Sequence, residues 1–193
     1  MTSYRHLVMS DLYRIDGDAS LGSFVKQLTR GISFKFIFWM RTSAFLTTAG
    51  PGWRTLYPVA RVMYRRYMFK FGISVPYQTP IGSGFYIGHF GGIVVSSGAT
   101  IGANCNLSQG VTIGQVNRGA KKGTPCIGDN VYIGPGAKVL GHITIGNNVA
   151  IGANAVVIKS VPDNAVVVGV PARVISHDGS ADYINRTDYP TRP

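Results

Sequence analysis

Between Ile81 and Val161 the chain keeps a six-residue beat of aliphatic positions. Ile81, Ile87 and Ile93 lead to Ile101, Leu107 and Ile113, and after a break to Ile127, Ile133, Val139, Ile145, Ile151 and Val157. Glycine follows the aliphatic residue at Ile81, Ile87, Ile101, Ile113, Ile127, Ile133, Ile145 and Ile151. A small or β-branched residue recurs four positions after it, as at Val111, Val131, Ala137, Val149 and Ala155. Neither an α-helix nor a sandwich strand repeats at six. A coil of three short parallel strands does, with one hexapeptide to a face. The aliphatic side chain is expected to stack on its counterpart in the next coil. The glycine is expected at the corner, where φ is positive or a Cβ would clash. The pattern predicts a parallel β-helix.

Ahead of Phe71 the spacing changes. Residues 21–28, 32–47 and 54–70 carry apolar positions at helical intervals, and Gly50-Pro51-Gly52 breaks the last two apart. The predicted organisation is a helical N-terminal region over 1–70, a β-helix domain over 71–175 and a C-terminal tail over 176–193. Within the domain the beat is lost over 115–126, a polar, basic and glycine-rich run expected to leave the coil as an excursion loop. Loops presented by a rigid scaffold often carry function. Arg118, Lys121 and Lys122 in that loop either meet phosphate or sugar or keep it solvated. A second departure, Gly169-Val170-Pro171-Ala172-Arg173, lies where the repeat runs out.

Composition fits one main domain, since 193 residues with 45% hydrophobic content bury a core and 25 glycines serve a turn-rich coil. The net charge is +11, and residues 1–70 hold 11 Lys/Arg against three Asp. Such a balance suits nucleic acid, an acidic membrane surface or a phosphorylated cofactor. Nucleic acid ranks last because no recognised module is present. The helical region interleaves Phe34, Ile37, Phe38 and Met40 with Lys35 and Arg41. Further on, Tyr57, Val59, Val62, Met63, Tyr67 and Met68 alternate with Arg61, Arg65, Arg66 and Lys70. Two readings stand: a basic aromatic surface on anionic lipid, or a helical cap packed on the β-helix end or on a sister subunit.

No signal peptide is expected, because Arg5, His6 and Asp11 interrupt the opening. The uncharged stretch from Phe71 to Asn117 is long enough to span a bilayer, but its Gly, Pro, Ser and Asn fall at hexapeptide spacing and belong to coil corners. Cys105 occupies a small-residue slot, where a buried structural thiol is expected, and the chain reads as reduced and cytoplasmic. The four histidines offer no metal-ligand spacing, and Glu is absent from the sequence, so no metal is expected. His6 and His177 lie near the ends, and His142 takes an outward slot. His89 sits between Ile87-Gly88 and Phe90-Gly91-Gly92, among glycines that let another molecule approach the backbone.

The stretches Gly88-His89-Phe90-Gly91-Gly92-Ile93-Val94-Val95 and Leu107-Ser108-Gln109-Gly110-Val111-Thr112-Ile113-Gly114 resemble the hexapeptide-repeat acyltransferases, closest to the serine acetyltransferase branch. The coils from Ile127 to Val157 and the terminal Gly169-Val170-Pro171-Ala172-Arg173 match that branch too. The resemblance covers about 71–175. It implies a left-handed β-helix, a homotrimer, and acetyl-coenzyme A held between neighbouring subunits. It makes His89 the general base: an alcohol is a poor nucleophile at neutral pH, and a positioned imidazole takes its proton as it attacks a thioester. By matched position, Gly134-Pro135 and Gly152-Ala153 lie along the pantetheine arm, and Lys159 and Arg173 are candidates for the cofactor phosphates.

The chain also departs from that branch. Serine acetyltransferases carry an acid near the opening of the β-helix, where Phe71-Gly72-Ile73 is followed here by Ser74. They carry another before the histidine, where this chain has Gly88. An Arg-His pair precedes the proline that re-enters their coil; here Gly123-Thr124 precedes Pro125. The positions facing the acceptor are then Ser74, Gly88, Arg118 and Thr124, without the charges that would grip a zwitterion. This combination is similar to the colanic-acid type of acetyltransferase from capsule and exopolysaccharide synthesis. The expectation is an acetyl-CoA-dependent O-acetyltransferase acting on a sugar hydroxyl, with peripheral contact to the inner membrane face. A serine O-acetyltransferase and a non-catalytic β-helix that binds cofactor or partner remain the alternatives.

Overall fold

Six-residue spacing becomes three parallel sheets wrapped around one core in the computed structural model, which describes residues 3–189. Numbered in chain order, the first sheet stacks β1 (Ile73–Ser74), β3 (Ile93–Val95), β6 (Thr112–Gly114), β9 (Lys138–Leu140) and β12 (Val156–Val157). The second stacks β4 (Thr100–Ile101), β7 (Cys126–Ile127) and β10 (Thr144–Ile145), and single bridges add Ile81 and Val161 at its ends. The third runs β2 (Tyr86–Ile87), β5 (Asn106–Leu107), β8 (Tyr132–Ile133), β11 (Ala150–Ile151) and β13 (Val166–Val168). It ends in the antiparallel β14 (Arg173–Ser176). Strands this short hold only because each is paired in register with the coils above and below.

Register sets the core. Ile87, Leu107, Ile133, Ile151 and Val167 form one buried column, and Val95, Ile113, Val139 and Val157 another. A fully buried residue of this kind stabilises the fold by about 1.5–3 kcal/mol. At one point the structure corrects the predicted beat. Val95, not Ile93, sits level with Ile113, so two extra residues lie between Ile87 and the next column position. Ile93 instead takes the level of the small residue Val111. The insertion falls in the corner of His89, Phe90, Gly91 and Gly92.

The repeat glycines answer to crowding rather than to φ. A Cβ on Gly82, Gly102, Gly128 or Gly146 would stand 2.5–2.7 Å from the backbone of the next coil. Positive φ falls elsewhere, on Asn104, Asn130, Asn148 and Asn164, at 54–60°. Asparagine tolerates that conformation, and the stacked amides bond to one another. Asn104 Nδ2 donates to Asn130 Oδ1 (2.9 Å), Asn130 to Asn148 (2.9 Å) and Asn148 to Asn164 (3.2 Å).

Five helices precede the coil: α1 (Tyr4–Asp16), α2 (Leu21–Thr29), α3 (Ile32–Thr48), α4 (Pro51–Arg54) and α5 (Tyr57–Phe71). Helix α1 is absent from the sequence expectation because the face it buries includes Ser10, Asp11 and Arg14, which blurs the apolar period. Its caps were legible: the Ser3 hydroxyl accepts from His6 N (3.2 Å), and Gly17 closes the helix at φ 79°. The buried polar face clamps the helices to the first coil. Asp11 accepts from Arg41 Nε (2.9 Å) and from the Phe85 N–H (2.7 Å). Arg41 also donates to the carbonyls of Ile81 and Gly82, both at 2.6 Å. Arg14 donates to Asn106 Oδ1 (2.7 Å) and to Gly84 O (3.2 Å). Burial pushes the Asp11 carboxyl up, against the pull of Arg41, the Phe85 N–H and Arg14. The helices thus cap the end of the coil.

The C-terminal tail packs as a strap along the third sheet, as far as residue 189. Ser180 Oγ donates to Asn130 O, Tyr183 stacks on Tyr132 with ring centroids 4.5 Å apart, and Tyr189 Oη donates to Asn104 (2.9 Å). Arg186 reaches back to Ile15 O at 2.9 Å. The remainder of the expected tail, 190–193, and residues 1–2 of the helical region lie outside the described residues. Among the described residues no helix is long and apolar enough to cross a membrane.

Removing one partner of a buried ion pair strands the other charge, so Asp11→Ala is expected to cost about 3–5 kcal/mol, read as a lower denaturant midpoint. An unchanged midpoint would show that the cap is held by other contacts. Cys105 is wholly buried, which pushes its thiol up to about 12, whereas Cys126 is exposed. A thiol reagent should therefore titrate Cys126 alone in the native protein and both cysteines once it is unfolded.

Candidate functional site

Three sheets meet at three corners, and His89 lies on the corner where the chain leaves the third sheet for the first. Its imidazole is exposed and makes no side-chain hydrogen bond among the described residues. Gly91 and Gly92, at φ 104° and 65°, let the two inserted residues turn this corner. One residue beyond the buried column, register stacks Gly88, Ser108, Gly134 and Gly152. Their N–H groups donate to Leu107, Ile133, Ile151 and Val167 O at 3.0, 3.1, 2.8 and 2.8 Å. Another residue on, the insertion takes His89 out of register, and Gly91, Gln109, Pro135 and Ala153 share the next level: Gly110 N donates to Gly91 O (2.8 Å), Gly136 N to Gln109 O (2.9 Å) and Asn154 N to Pro135 O (2.8 Å). Strands stack about 4.8 Å apart, so the strip runs for about 14 Å with nothing larger than serine in its first column.

Lys159 and Arg173 come together at the far end of the coil, where they line a cavity of about 340 Å³ with Ser160 and Ala172. Neither forms an ion pair among the described residues, and the Arg173 side chain donates there only to Ala172 O, at 3.3 Å. A narrow strip and two cations without carboxylates fit a ligand with a slender arm and an anionic end. Gly134-Pro135 and Gly152-Ala153 lie on the strip and do not line the cavity of the cations. The glycine at 134 is required by the fold itself, since a Cβ there would stand 2.8 Å from Ile151 O.

On the acceptor side the single chain assembles less. Gly88 is exposed, and a Cβ added there would meet nothing nearer than the Tyr86 ring at 3.5 Å. Beside it opens a cavity of about 220 Å³, walled by Tyr86, Asn106, Ser108, Tyr132, Tyr183 and Asn185. Tyr183 and Asn185 come from the strap and escaped the sequence reading; the aromatic residue in an otherwise polar tail was the available signal. Ser74 is exposed on the first sheet, paired with Val94. The excursion loop folds as a small hairpin in which Val116 and Gly123 exchange backbone bonds of 3.0 and 2.9 Å. Arg118 is exposed near its tip. Thr124 Oγ1 donates to Gly98 O (2.7 Å) and pins the loop to a different corner from that of His89. Within one chain, then, Arg118 and Thr124 do not share the corner of His89.

Residues 127–159 match the family model described as bacterial transferase hexapeptide (six repeats). A serine acetyltransferase of Staphylococcus aureus (strain Mu50 / ATCC 700699) is 44% identical over 123 residues, 64% of this chain and 58% of its own length. That of Bacillus pumilus (strain SAFR-032) is 41% identical over 133 residues, 69% and 60%. The match thus spans under two thirds of these relatives. Among solved structures, the Neisseria gonorrhoeae serine acetyltransferase in complex with serine aligns at a TM-score of 0.72 and 32% identity, over 90% of this chain and 69% of its own. The Brucella abortus strain S19 enzyme in complex with coenzyme A aligns at 0.74 and 30%, over 91% and 69%.

These findings overturn the sugar-acetylating expectation and the colanic-acid-type placement, since the relatives and structural neighbours are serine acetyltransferases. Of the departures that led there, Ser74 and Gly88 are exposed, and Gly123-Thr124 are half-buried residues of the excursion loop. The likeness, by contrast, runs through helices and coil together. The chain belongs to the serine acetyltransferase family of hexapeptide-repeat transferases.

Proposed function

We propose that the protein is an acetyl-CoA-dependent serine O-acetyltransferase with His89 as its general base. The observation that carries this reading is the in-register strip of Gly88, Ser108-Gln109, Gly134-Pro135 and Gly152-Ala153, with His89 next to its first residue. It supplies a backbone-lined track that ends at an exposed imidazole. His89 takes the proton from the serine hydroxyl as that oxygen forms its bond to the thioester carbonyl carbon. Peptide N–H groups of the corner face the oxyanion. As the carbon–sulfur bond breaks, the proton on His89 passes to the leaving thiolate, giving an O-acetylated serine and coenzyme A. Lys159 and Arg173 hold the phosphates.

In this reading the coil is left-handed and three copies assemble. The placement of Arg118 and Thr124 on a corner away from His89 supports that assembly, because a neighbour's loop then completes the acceptor side. Two free cysteines support a cytoplasmic setting.

The test is thiol release from acetyl-CoA with L-serine, with the product identified by mass. His89→Ala is expected to lower kcat by about 10²–10⁴ while coenzyme A affinity holds. Coenzyme A binding without turnover on L-serine would overturn the assignment, and an unchanged rate in the variant would remove His89 from it. Gly88→Asp has room for its side chain and returns a carboxylate beside the base. One charge-assisted hydrogen bond predicts a gain of about tenfold in kcat/KM for L-serine.

A further inference from the structure

We propose that the outward face of α4 and α5 is a docking surface for an anionic lipid bilayer. The inference is independent of the acetyl-transfer reading. Helix α5 buries Ala60, Tyr64 and Phe71. Its opposite face turns Val59, Val62 and Phe69 outward, 59%, 66% and 71% exposed, Leu56 at its N-cap is 50% exposed, and α4 adds Trp53 at 62%. Single exposed apolar residues need no explanation. Three on one face, over about 15 Å of helix and accompanied by an exposed leucine and tryptophan, make a face that lacks a partner among the described residues.

The charges around that face identify the partner. Arg54, Arg65, Arg66 and Lys70 are exposed among the apolar residues, and Arg61 lies over the Tyr77 ring at 4.7 Å. No Asp or Glu occurs between Asp18 and Asp129. The ion pairs among the described residues are Lys26 with Asp16 and Arg41 with Asp11, so none of these surface cations is neutralised. In a two-fold pair a second copy would offer the same face and bring like charges together, and the light-scattering measurement below separates a copy that offers a different face. Nucleic acid would answer the cations but leave Val59, Val62 and Phe69 in water. An anionic bilayer interface does both: it takes the aliphatic and aromatic side chains below the headgroups and holds the arginines and lysine at the phosphates. Trp53 is the residue type enriched at that depth.

Co-sedimentation of the whole protein with phosphatidylglycerol vesicles, with phosphatidylcholine vesicles alongside, tests the proposal. Binding is expected to phosphatidylglycerol at low salt, and to weaken about tenfold in phosphatidylcholine or when salt shortens the screening length. The pair Val62→Asp/Phe69→Asp and the pair Arg65→Gln/Arg66→Gln should each weaken it about tenfold at unchanged thermal unfolding, because all four side chains are exposed. Three results would overturn the proposal: no binding to phosphatidylglycerol at low salt, variants that bind like the parent, or a Val62→Asp/Phe69→Asp protein whose light scattering shows a smaller assembly. The last would assign the face to another copy of the chain.

Discussion

Each coil must lie on the one before at the spacing of hydrogen-bonded strands, about 4.8 Å, and this requirement governs the molecule. It leaves no room for a Cβ at Gly82, Gly102, Gly128 or Gly146. It forces the aliphatic side chains into unbroken columns and fills the left-handed corners with asparagines whose amides bond upward. It also builds the candidate site as a by-product. Once Ile87, Leu107, Ile133 and Ile151 are stacked, Gly88, Ser108, Gly134 and Gly152 must align one residue on, and His89 stands just past that column, outside the register. The two inserted residues between Ile87 and Val95 are what push the corner of His89 outward.

A stack of identical coils has open ends, and the chain closes each differently. Helices α1 and α3 close the first through Asp11 and Arg41, which spend their hydrogen bonds on Ile81, Gly82 and Phe85. At the other end β14 turns back on β13 and brings Arg173 beside Lys159. The strap that follows returns along the third sheet to Tyr132 and Asn104 and walls a cavity beside Gly88. The ends of the coil and the length of the strip between them therefore carry different parts of the candidate site.

The interior was legible in the sequence because period six maps directly onto interior positions. The slot of Ile93 was misjudged because Ile93 and Val95 are both β-branched aliphatics and only pairing with Ile113 separates them. Helix α1 stayed hidden because its buried face is polar. Tyr183 and Asn185 were missed because the residues that share their cavity, Asn106 and Tyr132 among them, lie more than 50 residues away, where local spacing carries no information. His89 and the two cations were singled out by resemblance rather than by pattern. The acceptor was misjudged because two missing acids and a missing Arg-His pair were weighed above the likeness that runs through helices and coil.

The central claim is that the strip from Gly88-His89 to Gly152-Ala153 is the track of the acyl donor. A structure of the protein with coenzyme A bound tests it most directly. The account predicts the thiol beside the His89 imidazole, the pantetheine arm along Gly134-Pro135 and Gly152-Ala153, and the phosphates against Lys159 and Arg173. A thiol lodged away from His89, or a cofactor that leaves the strip bare, would contradict it.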